Sequence, residues 1–375
     1  MKTLTRHVQR IAADEQGAVL VQVAIAILVL TAMATFVVDH GVLWVSRGQA
    51  QNAADAGALS GAIARAYDEL TSPPPSNGKA YSSAMGAALA NNVWTAAPTA
   101  QVSWTCPAGV AGSCVRVDVY RNGEFGSTPL PTIFGKLLNI SSQGVRATAT
   151  AVAAAANKSS NCLRPWMVPD NWMENTAPSD NFNGADVYAT PDPVTGLGGT
   201  GFKVPQDIGY RVTLHPNSKN TIAPSDYFDV DLGGTGGANY RDNISGCSGV
   251  SVSIGDTLTS LPGGTVGPTK QGVDDLVASD PGATWNGTAV VGSAFPVSPR
   301  IVPVALFSPA EYAAMGFPSG RFDIHVVNIL GFFVEGVTGK KEVTGVLVTT
   351  AGELNPGGPT VGPGAGFLKK IQLVR

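Results

Sequence analysis

"DEQGAVLVQVAIAILVLTAMATFVVDHG" (residues 14–41) contains a run, Gly17–Val38, without a single charged side chain. As a helix this run would extend roughly 33 Å, against a hydrocarbon core of about 30 Å. The apolar stretch of a cleaved secretory leader is shorter, about 7–15 residues, so the run reads as a permanent anchor. Ala32-Met33-Ala34 supplies an Ala-x-Ala pattern late in the run, which keeps leader removal open as the alternative. Lys2, Arg6 and Arg10 precede the run, Asp39 follows it, and Arg47 is the first cation beyond. That asymmetry puts residues 1–16 in the cytoplasm as a basic tail and the bulk of the chain outside. Gln22 lies roughly 7.5 Å along the helix. It can reach the headgroups, or hydrogen-bond a second helix within the membrane for about 1 kcal/mol.

The helix continues outward, because "WVSRGQAQNAADAGALSGAIARAYDEL" (44–70) is alanine-rich and has no proline. Leu59, Ile63, Tyr67 and Leu70 share one face. Ala53, Gly57 and Gly61 recur every fourth residue on another, where a second backbone can come close. "TSPPPSNG" (71–78) stops the helix. The pattern then predicts a second helix at 79–94, strands at 100–106 and 114–121, a short amphipathic helix at 130–140, and a small-residue strand at 144–156. In the second of these strands Val115, Val117 and Val119 alternate with Arg116, Asp118 and Tyr120. A long helix followed by antiparallel strands is an α+β arrangement, with the helix covering one sheet face. Beyond about residue 158 the chain turns β-rich with long loops, and strand patterns recur at 210–215, 250–255, 300–307, 322–337 and 342–350. The expected organisation is a tail (1–16), a transmembrane helix (17–38), a helix-and-sheet region (39–157) and a β-rich region (158–375), both regions extracytoplasmic.

A net charge of −3 on 375 residues, with 14% charged side chains, leaves no basic stripe for phosphates, so nucleic acid is not an expected partner. Four cysteines fit an oxidising compartment. Cys106 and Cys114 flank the turn-like "PAGVAGS", which leaves Cys162 and Cys247 as the second pair. Three pairings are formally open, and this local one is expected. Zinc is the competing reading, but the close C-x₂₋₄-C spacing is missing. No G-x-S-x-G, H-E-x-x-H, Walker A or C-x-x-C motif occurs. "GLGGTG" (196–201) matches G-x-G-x-x-G only formally, since it neither follows a strand nor opens a helix. Asp226, Asp229 and Asp231 lack the EF-hand spacing, and His325 sits in an apolar strand pattern. No catalytic residue, cofactor, metal or small-molecule substrate is expected.

"EQGAVLVQVAIAILVL…VDHGVLWVSRGQAQNAADAGALSGA" resembles the N-terminus of the TadE/TadG-like proteins of the Flp (tight-adherence) pilus system. Gly17 before the apolar run, Asp39 and Gly41 just after it, and "QNAADAGALSGA" (51–62, beginning Gln51, Asn52, Ala53, Ala54, Asp55) carry the resemblance; the family has "QNAADAAALAGA". Segments such as "CLRPWMVPDNW" (162–172) and "VVNILGFFVEGV" (326–337) look like the longer TadG-type members. The resemblance implies a non-enzymatic component of pilus assembly, held in the bacterial inner membrane with a periplasmic domain. Its partners would be pilins or other assembly proteins. In TadE-like pseudopilins a prepilin peptidase cuts after Gly, with Glu fifth in the mature chain. Here Gly17-Ala18 is followed at that position by Gln22, which cannot pair as a charge with a new amino terminus. The D-x-S-x-S metal motif of the von Willebrand A domain found in some TadG-type proteins does not occur. The alternatives are an exported binding or adhesion module unrelated to pili and an exported hydrolase.

Overall fold

A computed structural model describes residues 2–69, 74–175, 181–190, 192, 198–217, 220–234, 236–262, 266–339 and 341–374, with side chains from Gly17 onward. Leu70, residues 71–73 of the helix stop and residues 196–197 of the glycine-rich loop lie outside them.

One helix dominates the N-terminal part. α1 (Lys2–Ala34) passes through a π turn (Thr35–Asp39) into α2 (His40–Tyr67) without a break, as the absence of proline predicts. Next to the turn, the Thr31 and Thr35 hydroxyls donate back to the carbonyls of Ile27 (2.8 Å) and Thr31 (3.0 Å). A π turn inserts one residue into the helical repeat and so shifts the phase of its faces. From its last residue onward, Asp39, Val42, Ser46, Ala50, Ala53, Ala54 and Gly57 are all buried.

α2 lies on α3 (Lys79–Leu89) and on the first sheet. β1 (Thr99–Ser103) pairs antiparallel with β2 (Ser113–Arg121), and β2 with β3 (Val145–Ala155), Val117 facing Ala149. Val115, Val117 and Val119 meet the alanines of α2 in a core of small side chains. The expected alternation therefore sets which face of β2 the helix covers. The sheet continues through β13 (Leu368–Val374), antiparallel to β3 with Ile371 opposite Ala153, then β12 (Thr350–Glu353) and β4 (Lys158–Ser159). The last strand of the chain thus sits inside a sheet begun near residue 99.

The second sheet closes on itself. β5 (Trp166–Pro169), β6 (Arg211–Pro216), β7 (Asp226–Asp229), β9 (Ile301–Phe307), β10 (Asp323–Thr338) and β11 (Glu342–Val348) run in the spatial order β10-β9-β5-β7-β6-β11, and β11 returns to pair with β10. Closure leaves these strands few open edges. The short β8 (Thr257–Thr259) extends β10. Side chains of the strands and of two helices, α4 (Gly237–Ser245) and α5 (Val266–Ser279), fill a common core. Trp166, Tyr227, Phe332 and Phe367 are its largest fully buried members.

Three local expectations are corrected. The helix expected over 79–94 ends at Leu89, where the Asn91 amide takes the Ala87 carbonyl (2.8 Å), a side-chain bond that competes with another helical turn. Residues 130–140 form no helix of the expected kind. Leu130–Pro131 pairs with Ser142–Gln143, and a single 3-10 turn (Gly135–Leu138) follows. Residues 250–255 are not a strand of either sheet, although Ser159 donates to the Val252 carbonyl (2.8 Å). α4, α5 and a short α6 (Pro309–Ala314), capped by the Ser308 hydroxyl, stand where no helix was expected.

Candidate membrane-facing site

Gly17–Tyr67 is long and apolar enough to cross a membrane, and its most apolar stretch is not buried by the rest of the chain. Gly17, Ala18 and Gln22 are exposed along it. Helix propensity and apolarity explain this exposed half, whereas tertiary contacts hold the other, and the two meet at Asp39.

Asp39 is 4% exposed. Its carboxylate accepts the backbone N–H of Ile133 (2.7 Å) and Phe134 (3.4 Å) on Oδ1 and that of Gly135 (2.7 Å) on Oδ2. Its own carbonyl accepts from the Gln143 amide (3.0 Å). A carboxylate that collects several N–H donors makes short, charge-assisted bonds that fix the donors' backbone. These bonds are why 130–140 folds as a strap over the helix rather than as a helix of its own. Gly135 allows the approach, since a Cβ there would lie 3.1 Å from Asp39 Oδ2. The role of Asp39 as a tertiary anchor was not foreseen; a lone charge at the end of an apolar run was its only signal.

The other motif residues divide by face. Gln51 donates to Asp55 Oδ1 (2.8 Å) and to the Thr148 carbonyl (3.3 Å), tying α2 to β3. Ala53 and Ala54 are fully buried, while Asn52 is exposed. At Gly57 a Cβ would meet the Ala84 carbonyl oxygen and Ala88 Cβ, each at 2.9 Å; at Gly61 it would meet Val115 Cγ1 at 2.7 Å and Ala84 Cβ at 2.9 Å. The backbone admitted by the Ala53/Gly57/Gly61 stripe is thus α3 of the same chain, with β2 beneath. Gly41 has nothing within 4 Å of such a Cβ. Leu59, Ile63 and Tyr67 are less buried than this stripe, because small side chains permit the closer packing.

Elsewhere, Cys106 is bonded to Cys114 and Cys162 to Cys247. The second bridge lies next to Arg164, whose guanidinium donates to the carbonyls of Cys162 (3.3 Å), Asn243 (3.4 Å) and Gly246, and which burial pushes down to about 10. Asp226, Asp229 and Asp231 do not converge. Asp226 accepts from the Ala223 N–H, Asp229 from the Tyr240 hydroxyl, and Asp231 pairs with Arg321. His325 meets Glu311 at 2.6 Å. Among the described residues no group of three or more His, Cys, Asp or Glu side chains is placed to hold a metal. A cavity of about 420 Å³ opens at the closed sheet, lined by Val168, Leu214, Val304, Leu330, Phe332 and the more polar Asp207 and Tyr210.

The family model of the Flp pilus-assembly TadE/G-like proteins, Tad, matches residues 17–65. The chain carries a TadE/G-like segment. It covers the exposed apolar helix, the π turn with Asp39 and nearly all of α2, and it stops before either sheet begins. No curated protein and no solved structure matches the chain. Within the TadE/G-like segment, the motif residues sort into a buried Ala/Gly face, the Gln51–Asp55 tie and the Asp39 anchor.

Proposed function

We propose that this protein is a membrane-anchored structural component of Flp-type pilus assembly, without catalysis of its own. The observation that supports this reading most is the position of the TadE/G-like segment: its first half is an exposed apolar helix and its second half the central support of a folded region. In this reading residues 1–16 are cytoplasmic, 17–38 span the inner membrane, and the regions 39–157 and 158–375 stand in the periplasm. α2 has 28 residues and so extends roughly 42 Å. At its far end the Ala66 carbonyl accepts from the Thr349 hydroxyl (2.8 Å), which ties the helix to the β-rich region. The helix then acts as a rigid post between bilayer and β-rich region, and pilins or other assembly proteins are its partners. Gln22 and Gly41, both exposed, are available to such partners within or beside the membrane.

Deleting the gene and restoring it tests the reading: sheared surface pili disappear on deletion and return with the full chain but not with residues 39–375 behind a cleavable leader. Unchanged piliation on deletion refutes it. Intact mass and N-terminal sequencing of the membrane fraction decide processing. A full-length chain means an unprocessed anchor; a new terminus at Ala18 means a minor pilin despite Gln22. The cavity at the closed sheet favours a second reading, an exported binding module. That reading requires the full chain in detergent to bind a cell-surface ligand and the deletion strain to keep its pili.

A further inference from the structure

Four large apolar side chains stand out of the strap that Asp39 holds: Ile133 is 53% exposed, Leu137 70%, Leu138 40% and Ile140 51%. A soluble surface scatters such residues singly, and a cluster of them marks a contact. Position and backbone together indicate what covers this cluster. The 3-10 turn Gly135–Leu138 contacts the last turns of α1, where Thr31, Ala34 and Thr35 are half-buried while their neighbours are exposed. The strap therefore reaches back from Asp39, the first charge after the apolar run, alongside the run itself. Thr31 precedes Asp39 by eight residues, roughly 12 Å along a helix, and interfacial segments bury their apolar face by about 5–10 Å.

The backbone of the strap also suits a poorly hydrated place, where open N–H and C=O groups are costly. Asp39 takes three of its N–H groups. Leu137 N–H donates to Phe134 (3.0 Å), Asn139 N–H to Lys136 (3.2 Å) and Ile140 N–H to Gly135 (2.8 Å), while the Thr132 hydroxyl donates to the Ile140 carbonyl (2.5 Å). Lys136 and Asn139, both exposed, alternate with the apolar side chains, and a lysine stem can carry its charge to the headgroups.

We propose that residues 132–140 form a second, non-spanning membrane contact. The exposed apolar side chains enter the interface of the leaflet nearer the folded region, beside the span, and Asp39 sets their depth. Two contacts at one point fix the tilt of the post, which a single helix leaves free. The inference rests on the reading of residues 17–38 as a membrane span.

The test uses the full chain reconstituted in mixed phosphatidylcholine and phosphatidylglycerol vesicles, its four native cysteines bridged. Single cysteines carry an environment-sensitive fluorophore at Leu137→Cys, at Ile133→Cys as a second strap site, at Leu28→Cys in the span and at Thr288→Cys in a remote exposed loop. Lipids spin-labelled near the headgroup should quench the two strap probes at least about twofold more than the Thr288 probe, and aqueous iodide should do the reverse. Adding Asp39→Ala to Leu137→Cys should raise iodide quenching about twofold or more, as the strap loses its depth. Strap probes as iodide-accessible as Thr288, with the Leu28 probe quenched by lipid, overturn the inference and leave the span standing. A Leu28 probe open to iodide removes the span and the inference together. No response to Asp39→Ala refutes the anchoring role.

Discussion

Two glycines of the TadE/G-like segment make opposite predictions. At Gly57 an added methyl would lie 2.9 Å from the Ala84 carbonyl oxygen, and a backbone atom cannot swing aside as a side-chain end can. Gly57→Ala gains helix propensity, but overpacking of this kind costs about 1–3 kcal/mol, so a net loss of thermal stability is expected. Gly41 has open space around it, and Gly41→Ala should stabilise the helix by up to about 1 kcal/mol. Unfolding midpoints of the two variants in detergent check both signs. If Gly41→Ala also abolishes piliation, its glycine serves a contact outside this chain. Asp170 gives a pH prediction. It is 1% exposed, and burial pushes it up to about 6 even though the N–H groups of Asn171 and Phe202 and the Tyr188 hydroxyl donate to it. With the folded value above the unfolded one, the native state binds the proton more tightly. The associated stability is fully present below about pH 4 and is lost as pH rises through about 6, up to about 3 kcal/mol. Burial alone would raise Asp118 too, but bonds from Arg116, Thr148 and Arg146 outweigh it and hold it below its ordinary value. Its contribution therefore falls away only in more acid solution. Thermal unfolding between pH 4 and pH 7 should show the decline, and Asp170→Asn should flatten it.

The reach of sequence reasoning shows in which elements it found. Elements with an uninterrupted local pattern were legible: the helix from the apolar run to Tyr67, the valine alternation of β2, the alanine strand β3, and β9 to β11 with their β-branched runs. Where a distant group decides the backbone, the pattern misled. The spacing of "LPTIFGKLLNI" suits an amphipathic helix, but its N–H groups go to Asp39, almost a hundred residues earlier. α4, "GANYRDNIS", is polar and follows the glycine-rich "LGGTG" (232–236), so it does not announce itself, and it is held by Tyr240 and Ile244 in the core of the closed sheet. β13, "LKKIQLV", carries two lysines, of which Lys369 is buried, on a strand that joins the first sheet. Burial, and secondarily the charge of Arg65, drives Lys369 down to about 8. The chemistry of β13 gives the element-scale prediction. Gln372 pairs with Val152 of β3 in step with the Ala156 N–H to Leu368 carbonyl bond, so Gln372→Pro removes a ladder donor from this strand. A loss of about 2–4 kcal/mol is expected, read as faster trypsin cleavage of β3 and β13 relative to the α2–α3 pair.

At the scale of the molecule, the two disulfides constrain different lengths of chain and should not be equivalent. Cys106–Cys114 spans 8 residues at the β1–β2 connection, while Cys162–Cys247 spans 85 and joins the approach to β5 with the end of α4. In the chain-entropy account, closing the longer loop restricts the unfolded chain more, by about 4–5 kcal/mol against about 2–3 kcal/mol for the shorter. The long bridge also secures α4 against the closed sheet, where the Tyr240 hydroxyl accepts from the Trp166 indole (3.1 Å) and donates to Asp229. Removing it therefore loosens a helix that fills the core as well as lengthening an unfolded loop. The paired substitution Cys162→Ser with Cys247→Ser should lower the denaturant midpoint of the full chain more than Cys106→Ser with Cys114→Ser. Its losses should concentrate in the β-rich region, seen as hydrogen exchange opening in β5, β7 and α4 while α2, α3 and β2 stay protected. Equal shifts for the two pairs, or exchange opening first along α2, would mean that the helix and the closed sheet unfold as one unit, so that the post and what it carries share a single stability.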